Sequence, residues 1–277
     1  MFRGGVGNFS CRHPKLWSYI KSNVKAFFIT GAITFVVSAS ATTILHSRQV
    51  RYKNDKSVEQ AINELYQKSE QCKMAKIGCY GCTKLEYLES TGTQYIDTGY
   101  YNTSDTKVDL SFVYLQSNGD IYSNGMIYGS ANYNYGRPSL SIGLNLNNDL
   151  YYRNSNNAES FLGVVIAPNT IYSVRVFQNQ IIINNTTYQS NMTLLSGRSL
   201  YTSYIFGRHQ PKGDDIVEIN DAYGPFIGRI YYCKLYDNDT LVRDYIPVLD
   251  NNNRPCLFDK VSKSCFYNQG TGEFLYG

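Results

Sequence analysis

Histidine is scarce in this sequence, and the catalytic signatures that depend on it are missing. Only three His occur in 277 residues, and His209 alone lies beyond residue 83. A His-based catalytic triad would have to use that residue, yet no Gly-x-Ser-x-Gly nucleophile elbow accompanies it. The Gly-x-x-x-x-Gly-Lys-Ser/Thr phosphate loop and the His-Glu-x-x-His zinc helix are absent as well. The sequence therefore predicts a protein that is not an enzyme.

An excess of positive charge is also missing from most of the chain. The total is 26 Lys and Arg against 22 Asp and Glu, but residues 84–277 hold 14 basic and 18 acidic residues. Residues 1–83 hold the other 12 basic and 4 acidic residues. A slightly acidic body lacks the basic face that nucleic acid requires, so no nucleic-acid partner is expected. The basic N-terminal part suits an anionic membrane surface.

One run of twenty residues has no charge at all. It extends from Ala26 to Leu45 and reads AFFITGAITFVVSASATTIL, which is long enough to cross a bilayer as a helix. Five basic and no acidic residues precede it, which places the segment 1–25 in the cytoplasm. We prefer a retained signal anchor, which makes a single-pass protein of the cell membrane with an extracellular body. The alternatives are a signal peptide cleaved after Ala41, giving a secreted chain, and a buried core helix.

The cysteines support export. Cys11 precedes the apolar run, and six cysteines follow it, namely Cys72, Cys79, Cys82, Cys233, Cys256 and Cys265. An even number on the exported side predicts disulfides. Pairing within the 72–82 group and between Cys256 and Cys265 is the first arrangement to test, although it leaves Cys233 with one linker cysteine. A zinc site at Cys79-Tyr-Gly-Cys82 would need four ligands, and too few lie nearby.

The linker 46–83 contains a predicted short helix over residues 57–70. Ser57 is a suitable N-cap, and an apolar face follows at helical spacing, formed by Val58, Ile62, Leu65 and Tyr66. A helix of this length is marginal by itself in water. It therefore packs on the domain that follows or associates with a second copy of itself, which would make a homo-oligomer.

Residues 84–277 have the patterning of an all-β domain. Apolar and polar residues alternate in Val108–Tyr114 and Leu140–Asn147, which places one set in a core and the other toward water. Gln178-Asn179 and Asp237–Thr240 are predicted turns of hairpins. Of the 26 Tyr, 22 lie after residue 83, and this amphipathic ring suits the half-exposed face of a sheet. The pattern predicts an antiparallel sandwich or barrel.

Both ends of this region resemble a known family. The stretch Leu85–Gly99, LEYLESTGTQYIDTG, is similar to the opening of concanavalin A-like (LamG-like) jelly-roll domains in surface and phage-associated proteins of Gram-positive bacteria. The closing part of these domains is similar to Ile227–Asp237, Leu241–Val248, Leu257–Ser262 and Phe266–Phe274. The resemblance covers residues 84–277 and implies a two-sheet, lectin-type sandwich with a general binding role, often toward glycans. It names no ligand.

Two short segments are candidates for contacts with such a ligand. A sugar offers C–H surfaces that stack on aromatic rings and hydroxyls that hydrogen-bond to planar polar groups. Tyr133, Tyr135 and Arg137 combine these groups in a predicted loop, and Arg208 with His209 would make a second contact. The sequence therefore predicts a non-catalytic extracellular module that binds a glycan or another cell-surface ligand. Ordinary hydrophilic turns are the alternative interpretation of both segments.

The densest acidic stretch allows three interpretations. It contains Asp214, Asp215, Glu218 and Asp221. Solvated loop carboxylates are the preferred interpretation, a Ca²⁺ site with several oxygen ligands is the second, and a glycoside hydrolase pair is the third. The jelly-roll glucanases carry Glu-x-Asp-x-x-Glu on one strand, and this stretch lacks that pattern. No cofactor is expected apart from this Ca²⁺ candidate, and a structural or assembly protein without a glycan ligand remains the main alternative function.

Overall fold

The computed structural model describes residues 33–36, 42–45, 51–52, 56–116, 125–131, 138–154, 160–194, 196–210 and 222–277. The chain divides into two compact units, residues 1–76 and residues 77–277. Each unit has its own secondary structure and is described separately below.

The first unit contains short strands and one helix. Strands β1 (Ile33–Val36) and β2 (Thr42–Leu45) form an antiparallel pair, and β3 (Arg51–Tyr52) pairs with β4 (Lys56–Ser57). The predicted membrane helix over residues 26–45 is thus replaced by strands wherever this run is described. The two strands read ITFV and TTIL, and such β-branched and aromatic residues favour extended backbone. Among the described residues, no helix is long and apolar enough to span a bilayer.

The predicted linker helix is present and longer than expected. Helix α1 extends over Val58–Lys76, with Lys73 and Lys76 in its last turn, where cations interact favourably with the helix dipole. Gly78 follows with a φ of +92°, a left-handed conformation common just after helix ends. Leu65 and Tyr66 on its apolar face are exposed. Association of two copies through this helix stays a prediction.

The second unit is built from two large antiparallel sheets. The smaller has six strands in the order β12-β11-β10-β9-β16-β7, which are Ser160–Val165, Asp149–Asn154, Leu140–Leu144, Gly125–Gly129, Arg198–Ile205 and Ile96–Thr103. A separate two-stranded sheet pairs β17 (Arg208–His209) with β18 (Ala222–Tyr223).

The larger sheet has eleven strands. Its main path is β15-β14-β13-β8-β19-β20-β21-β22, which are Thr186–Gln189, Gln180–Ile183, Ile171–Phe177, Thr106–Tyr114, Ile227–Asp237, Thr240–Leu249, Pro255–Asp259 and Ser264–Phe266. Strand β6 (Leu88–Thr91) pairs with β19 and with β23 (Leu275–Tyr276), and β5 (Thr83–Lys84) pairs with β20.

One hydrophobic core lies between the two sheets. Phe112, Val174 and Leu235 from the larger sheet and Tyr128 and Ile142 from the smaller one belong to a single buried cluster. This arrangement confirms the prediction of an all-β, two-sheet antiparallel sandwich, and it is consistent with a jelly roll. The predicted hairpins are also present, since Phe177 pairs with Gln180 and Asp237 pairs with Thr240 across two-residue turns.

The cysteine bonding follows the expected pattern in part. Cys79 and Cys82 form a disulfide, and Cys72 is also disulfide-bonded. Cys233, Cys256 and Cys265 are free thiols, so the pairing of Cys256 with Cys265 suggested by the sequence is not formed in this structure. The two residues nevertheless lie on neighbouring strands, β21 and β22.

Asp250 organises the turn between β20 and β21. Its Oδ1 accepts the backbone N–H groups of Asn252 and Arg254 at 2.8 and 2.9 Å. Its Oδ2 accepts one hydrogen bond from the Tyr267 hydroxyl at 2.8 Å and two from the Arg254 guanidinium at 3.1 and 3.0 Å. The carboxylate therefore stabilises the turn only while it is ionised.

We expect Asp250→Asn to remove a pH-dependent part of the stability. Burial opposes ionisation, but the donors outweigh it and lower the pKa of Asp250 to about 2. Because this pKa lies below the unfolded value of about 3.9, the contribution is complete above pH ~4 and is lost as the pH falls toward ~2. Urea unfolding should therefore show a stability gap between wild type and variant at pH 7 that narrows between pH ~4 and ~2. A gap of equal size at both ends would contradict this role.

Candidate ligand-binding site

Strand β17 brings the two predicted contact segments together. The backbone N–H of Ala131, the residue just before segment 132–137, donates to the carbonyl oxygen of His209 at 2.8 Å. His209 also pairs with Ala222, the first described residue after segment 211–221. Segment 132–137 thus begins beside His209, and the acidic segment 211–221 follows Gln210 and ends beside His209.

The last residues of β11 lie at the same end of the small sheet as the Ser130–His209 bridge. Arg153 pairs with Ser141, and Ser141 pairs with Gly129, which is followed by Ser130 and its bridge to His209. Asn154, the last residue of β11, pairs with Leu140. Sequence reasoning overlooked both Arg153 and Asn154. The available signal was a polar pair that ends an otherwise apolar strand, Leu150-Tyr151-Tyr152.

His209 is held by an aromatic stack. Its ring lies 4.3 Å from that of Tyr204 in a stacked arrangement and 5.0 Å from that of Tyr201. Nδ1 is 3.1 Å from the backbone oxygen of Thr202. Nδ1 also lies 3.3 Å from the Thr202 hydroxyl. The imidazole is therefore fixed in position.

Arg208 and His209 lie in a buried strand and not in the hydrophilic turn considered from the sequence. Their exposed fractions are 2 and 3%, and Nε of Arg208 donates to Oε1 of Gln210 at 2.9 Å. Arg153 is 5% exposed. Two guanidinium groups and an imidazole are therefore buried near one end of the small sheet, where they form a polar cluster.

A buried polar network supports this end of the sheet. The Tyr128 hydroxyl donates to Oδ1 of Asn102 at 2.7 Å and lies 2.7 Å from Oγ of Ser203. The amide of Asn102 donates to Oγ of Ser130 at 3.1 Å, next to the bridge with His209. Burial raises the pKa of Tyr128 well above its usual value, so the hydroxyl keeps its proton. The network fixes strands β7, β9 and β16 relative to one another.

The centre of the outward face of the small sheet is filled. Met126 and Tyr151 are buried there, and the Tyr151 hydroxyl contacts the Met126 sulfur. A Cβ atom at Gly143 would lie only 2.8 Å from that sulfur and 2.9 Å from the Tyr151 hydroxyl, so a larger residue would require these side chains to shift. The described middle of this face is therefore occupied by side chains.

The remaining predicted residues lie outside the described part of the chain. These are Tyr133, Tyr135, Arg137, Asp214, Asp215, Glu218 and Asp221. Within the described ranges, no group of three or more His, Cys, Asp or Glu is arranged to hold a metal ion. The Ca²⁺ site and the aromatic contact both stay predictions.

The fold and the site define a two-sheet antiparallel β-sandwich with a polar cluster at the end of its smaller sheet. Among solved structures, the chain is similar to the native heptameric SAP-like pentraxin from Limulus polyphemus, with 9% identity over 56% of this chain and 75% of that chain and a TM-score of 0.36. No family model matches the sequence, and no curated protein matches it. We therefore take the fold class from the sheets themselves.

Proposed function

We propose that residues 77–277 form a non-catalytic binding module for a glycan or a similar oxygen-rich surface ligand. The observation that supports this function is that one predicted contact segment, 132–137, begins beside the other, Arg208 and His209 in β17. Segment 132–137 supplies Tyr133, Tyr135 and Arg137. The aromatic rings would stack on the sugar, and Arg137 would hydrogen-bond to its hydroxyls. The buried donors hold the base of the site in place.

The proposal includes export from the cell. The Cys79–Cys82 disulfide suits an oxidising compartment, and the basic segment 1–25 before the apolar run 26–45 suits a membrane-directing signal. Retention as an anchor and cleavage after Ala41 are both compatible with this role. The module would then present its ligand site outside the cell, bound to the membrane or free.

Ligand binding should depend on the side chains of segment 132–137. The full chain is screened on a broad glycan array, and any ligand found is titrated calorimetrically. We expect Tyr133→Ala, Tyr135→Ala and Arg137→Ala each to weaken binding by about tenfold, since one stacking or cation contact contributes about 1–2 kcal/mol. Tyr80→Ala is the matched control, because Tyr80 is 76% exposed on the Cys79–Cys82 loop. Unchanged affinity in all three variants would place the ligand elsewhere.

An assembly role is the second candidate function, in which the sandwich only packs against neighbouring molecules. It is supported by the filled centre of the outward face and by exposed apolar side chains at Leu146, Val165 and Ile171. No binding to any glycan on the array, together with self-association in light scattering, would favour this role. A bound glycan whose affinity falls in the segment 132–137 variants would favour the binding module.

A further inference from the structure

Two free thiols share one face of the last hairpin of the large sheet. Cys265 in β22 pairs with Phe258 in β21, and Cys256 lies two residues before Phe258. Because side chains alternate along a strand, Cys256 and Cys265 project from the same face as diagonal neighbours. Cys256 is fully buried, whereas Cys265 is partly exposed. The Cys265 thiol is therefore accessible to a small reagent, whereas the Cys256 thiol is not.

Cys265 stands beside a group of polar side chains. Arg254 covers the ring of Tyr267 at 4.4 Å, and its Nη2 donates to the Tyr267 hydroxyl at 3.2 Å. Both residues bind Asp250, and Tyr267 also helps to lower the pKa of Cys265. The surroundings of this sulfur thus include a guanidinium, a carboxylate and a phenol. A structural cysteine in an apolar core would have none of these neighbours.

The two neighbouring thiols differ in acidity. The interaction with the Cys256 thiol, with a smaller contribution from Tyr267, lowers the pKa of Cys265 to about 7 against the effect of burial. The same interaction, together with burial, raises the pKa of Cys256. Thiolate is the reactive form of cysteine, so Cys265 is the better nucleophile at neutral pH. Cys233 is different, since burial in the core raises its pKa.

We propose that Cys256 and Cys265 are a reactive dithiol pair that reduces small-molecule disulfides and closes to a Cys256–Cys265 disulfide. The Cys265 thiolate attacks one sulfur of a disulfide such as oxidised glutathione, forms a mixed disulfide and releases one glutathione thiolate. Cys256 then loses its proton and attacks Sγ of Cys265, which releases the second glutathione. Two cysteine thiols become one disulfide, and the two protons and two electrons they lose convert one glutathione disulfide into two glutathione thiols.

The hairpin can accommodate this bond. Diagonal neighbours have Cα atoms about 7–8 Å apart, slightly beyond the usual separation across a disulfide. Strand β22 is only three residues long and ends the main path of the sheet, where β21 is its strand neighbour. Among the described strands, the main path continues from β22 only to β21, so a small shift of β22 toward β21 would not pull it from another strand of that path. The oxidised hairpin would have a more firmly attached last strand.

The test is peptide mapping of the folded full chain. The chain is incubated with oxidised glutathione, quenched with an alkylating reagent and analysed by mass spectrometry. We expect a Cys256–Cys265 cross-link, with Cys233 still reduced. Cys256→Ser should keep a lasting glutathione adduct on Cys265, because the second thiol is missing. Cys265→Ser should leave Cys256 at least tenfold slower to react, and Cys233→Ser is the matched control that should behave as wild type.

The proposal is overturned if Cys265 of the wild type holds a lasting glutathione adduct. It is overturned as well if both thiols stay reduced and are therefore fully alkylated after the quench. It is also overturned if Cys265→Ser leaves the reactivity of Cys256 unchanged. If a serine variant does not fold, the wild-type map decides, since it needs no substitution. A second readout is thermal unfolding, in which the cross-linked chain should show a Tm higher by roughly 5 °C than the reduced chain.

Discussion

Replacing Phe112 by Ala should lower the free energy of unfolding of the sandwich by about 3–5 kcal/mol, the largest effect we expect from a single substitution. Phe112 is fully buried, and its ring lies 5.8 Å from that of Tyr172 and 5.9 Å from that of Phe226. Truncation removes a large apolar surface and leaves a cavity that the two sheets cannot close. Thermal unfolding followed by circular dichroism should show a Tm lower by roughly 10 °C.

Phe177 provides a matched control for this substitution. It lies on the neighbouring strand β13, pairs with Lys107 at the other end of the same ladder, and is only partly buried. The Lys107 ammonium lies 5.1 Å from the centre of its ring, outside the core. Phe177→Ala should therefore cost about 1 kcal/mol or less. Equal losses for the two variants would mean that the core does not lie between the sheets as described.

The second large effect is expected from Asp259→Ala. The side chain of Asp259 is fully buried, and its Oδ1 accepts the backbone N–H groups of Asp244 at 2.8 Å and Val261 at 3.0 Å. Its Oδ2 accepts the N–H of Ser262 at 3.1 Å and lies 3.7 Å from Nε of Arg243. Removing the carboxylate leaves three N–H groups without this acceptor, so we expect a loss of about 3 kcal/mol or more.

Guanidinium unfolding would measure this loss against two other variants. Asp239→Ala is the exposed control, because Asp239 is 96% exposed and contacts Lys107 at 2.9 Å, and its loss should stay below about 1 kcal/mol. Asp259→Asn keeps one carbonyl oxygen for the two N–H groups at Oδ1, so its loss should be intermediate. A tolerated Asp259→Ala would show that the turn after β21 folds without its carboxylate.

Local pattern allowed much of the sandwich to be predicted. Alternation in Val108–Tyr114 identified a strand whose apolar residues enter the core, and Phe112 is fully buried there. The turns at Gln178-Asn179 and Asp237–Thr240 could be predicted because short polar segments separate apolar runs. Helix α1 follows from helical spacing, although it continues six residues beyond the predicted end at residue 70. These features depend on neighbours in sequence.

The same reasoning does not decide between two structures where one local pattern fits both. A run of twenty uncharged residues is long enough for a membrane helix, but the described parts of this run are strands. Its β-branched residues are compatible with both forms, and hydropathy alone does not distinguish them. Arg208 and His209 were considered as a hydrophilic turn because neither residue type is commonly buried. Stacking on Tyr204 and Tyr201 allows the burial of His209, and those partners precede it by only a few residues without forming a recognisable motif.

The sequence by itself determined the all-β class, and it indicated pairing within the Cys72, Cys79 and Cys82 group and the residue types predicted to contact a sugar. Only the tertiary structure decided that Ala131 and Ala222 both contact His209 and that Arg153 lies at the same end of the small sheet. It also placed Cys256 beside Cys265 on one face of a hairpin. The physical reason is that alternation specifies which face of a strand is buried, whereas strand order is set by how two whole sheets pack. A binding site made from several strand ends depends on that order.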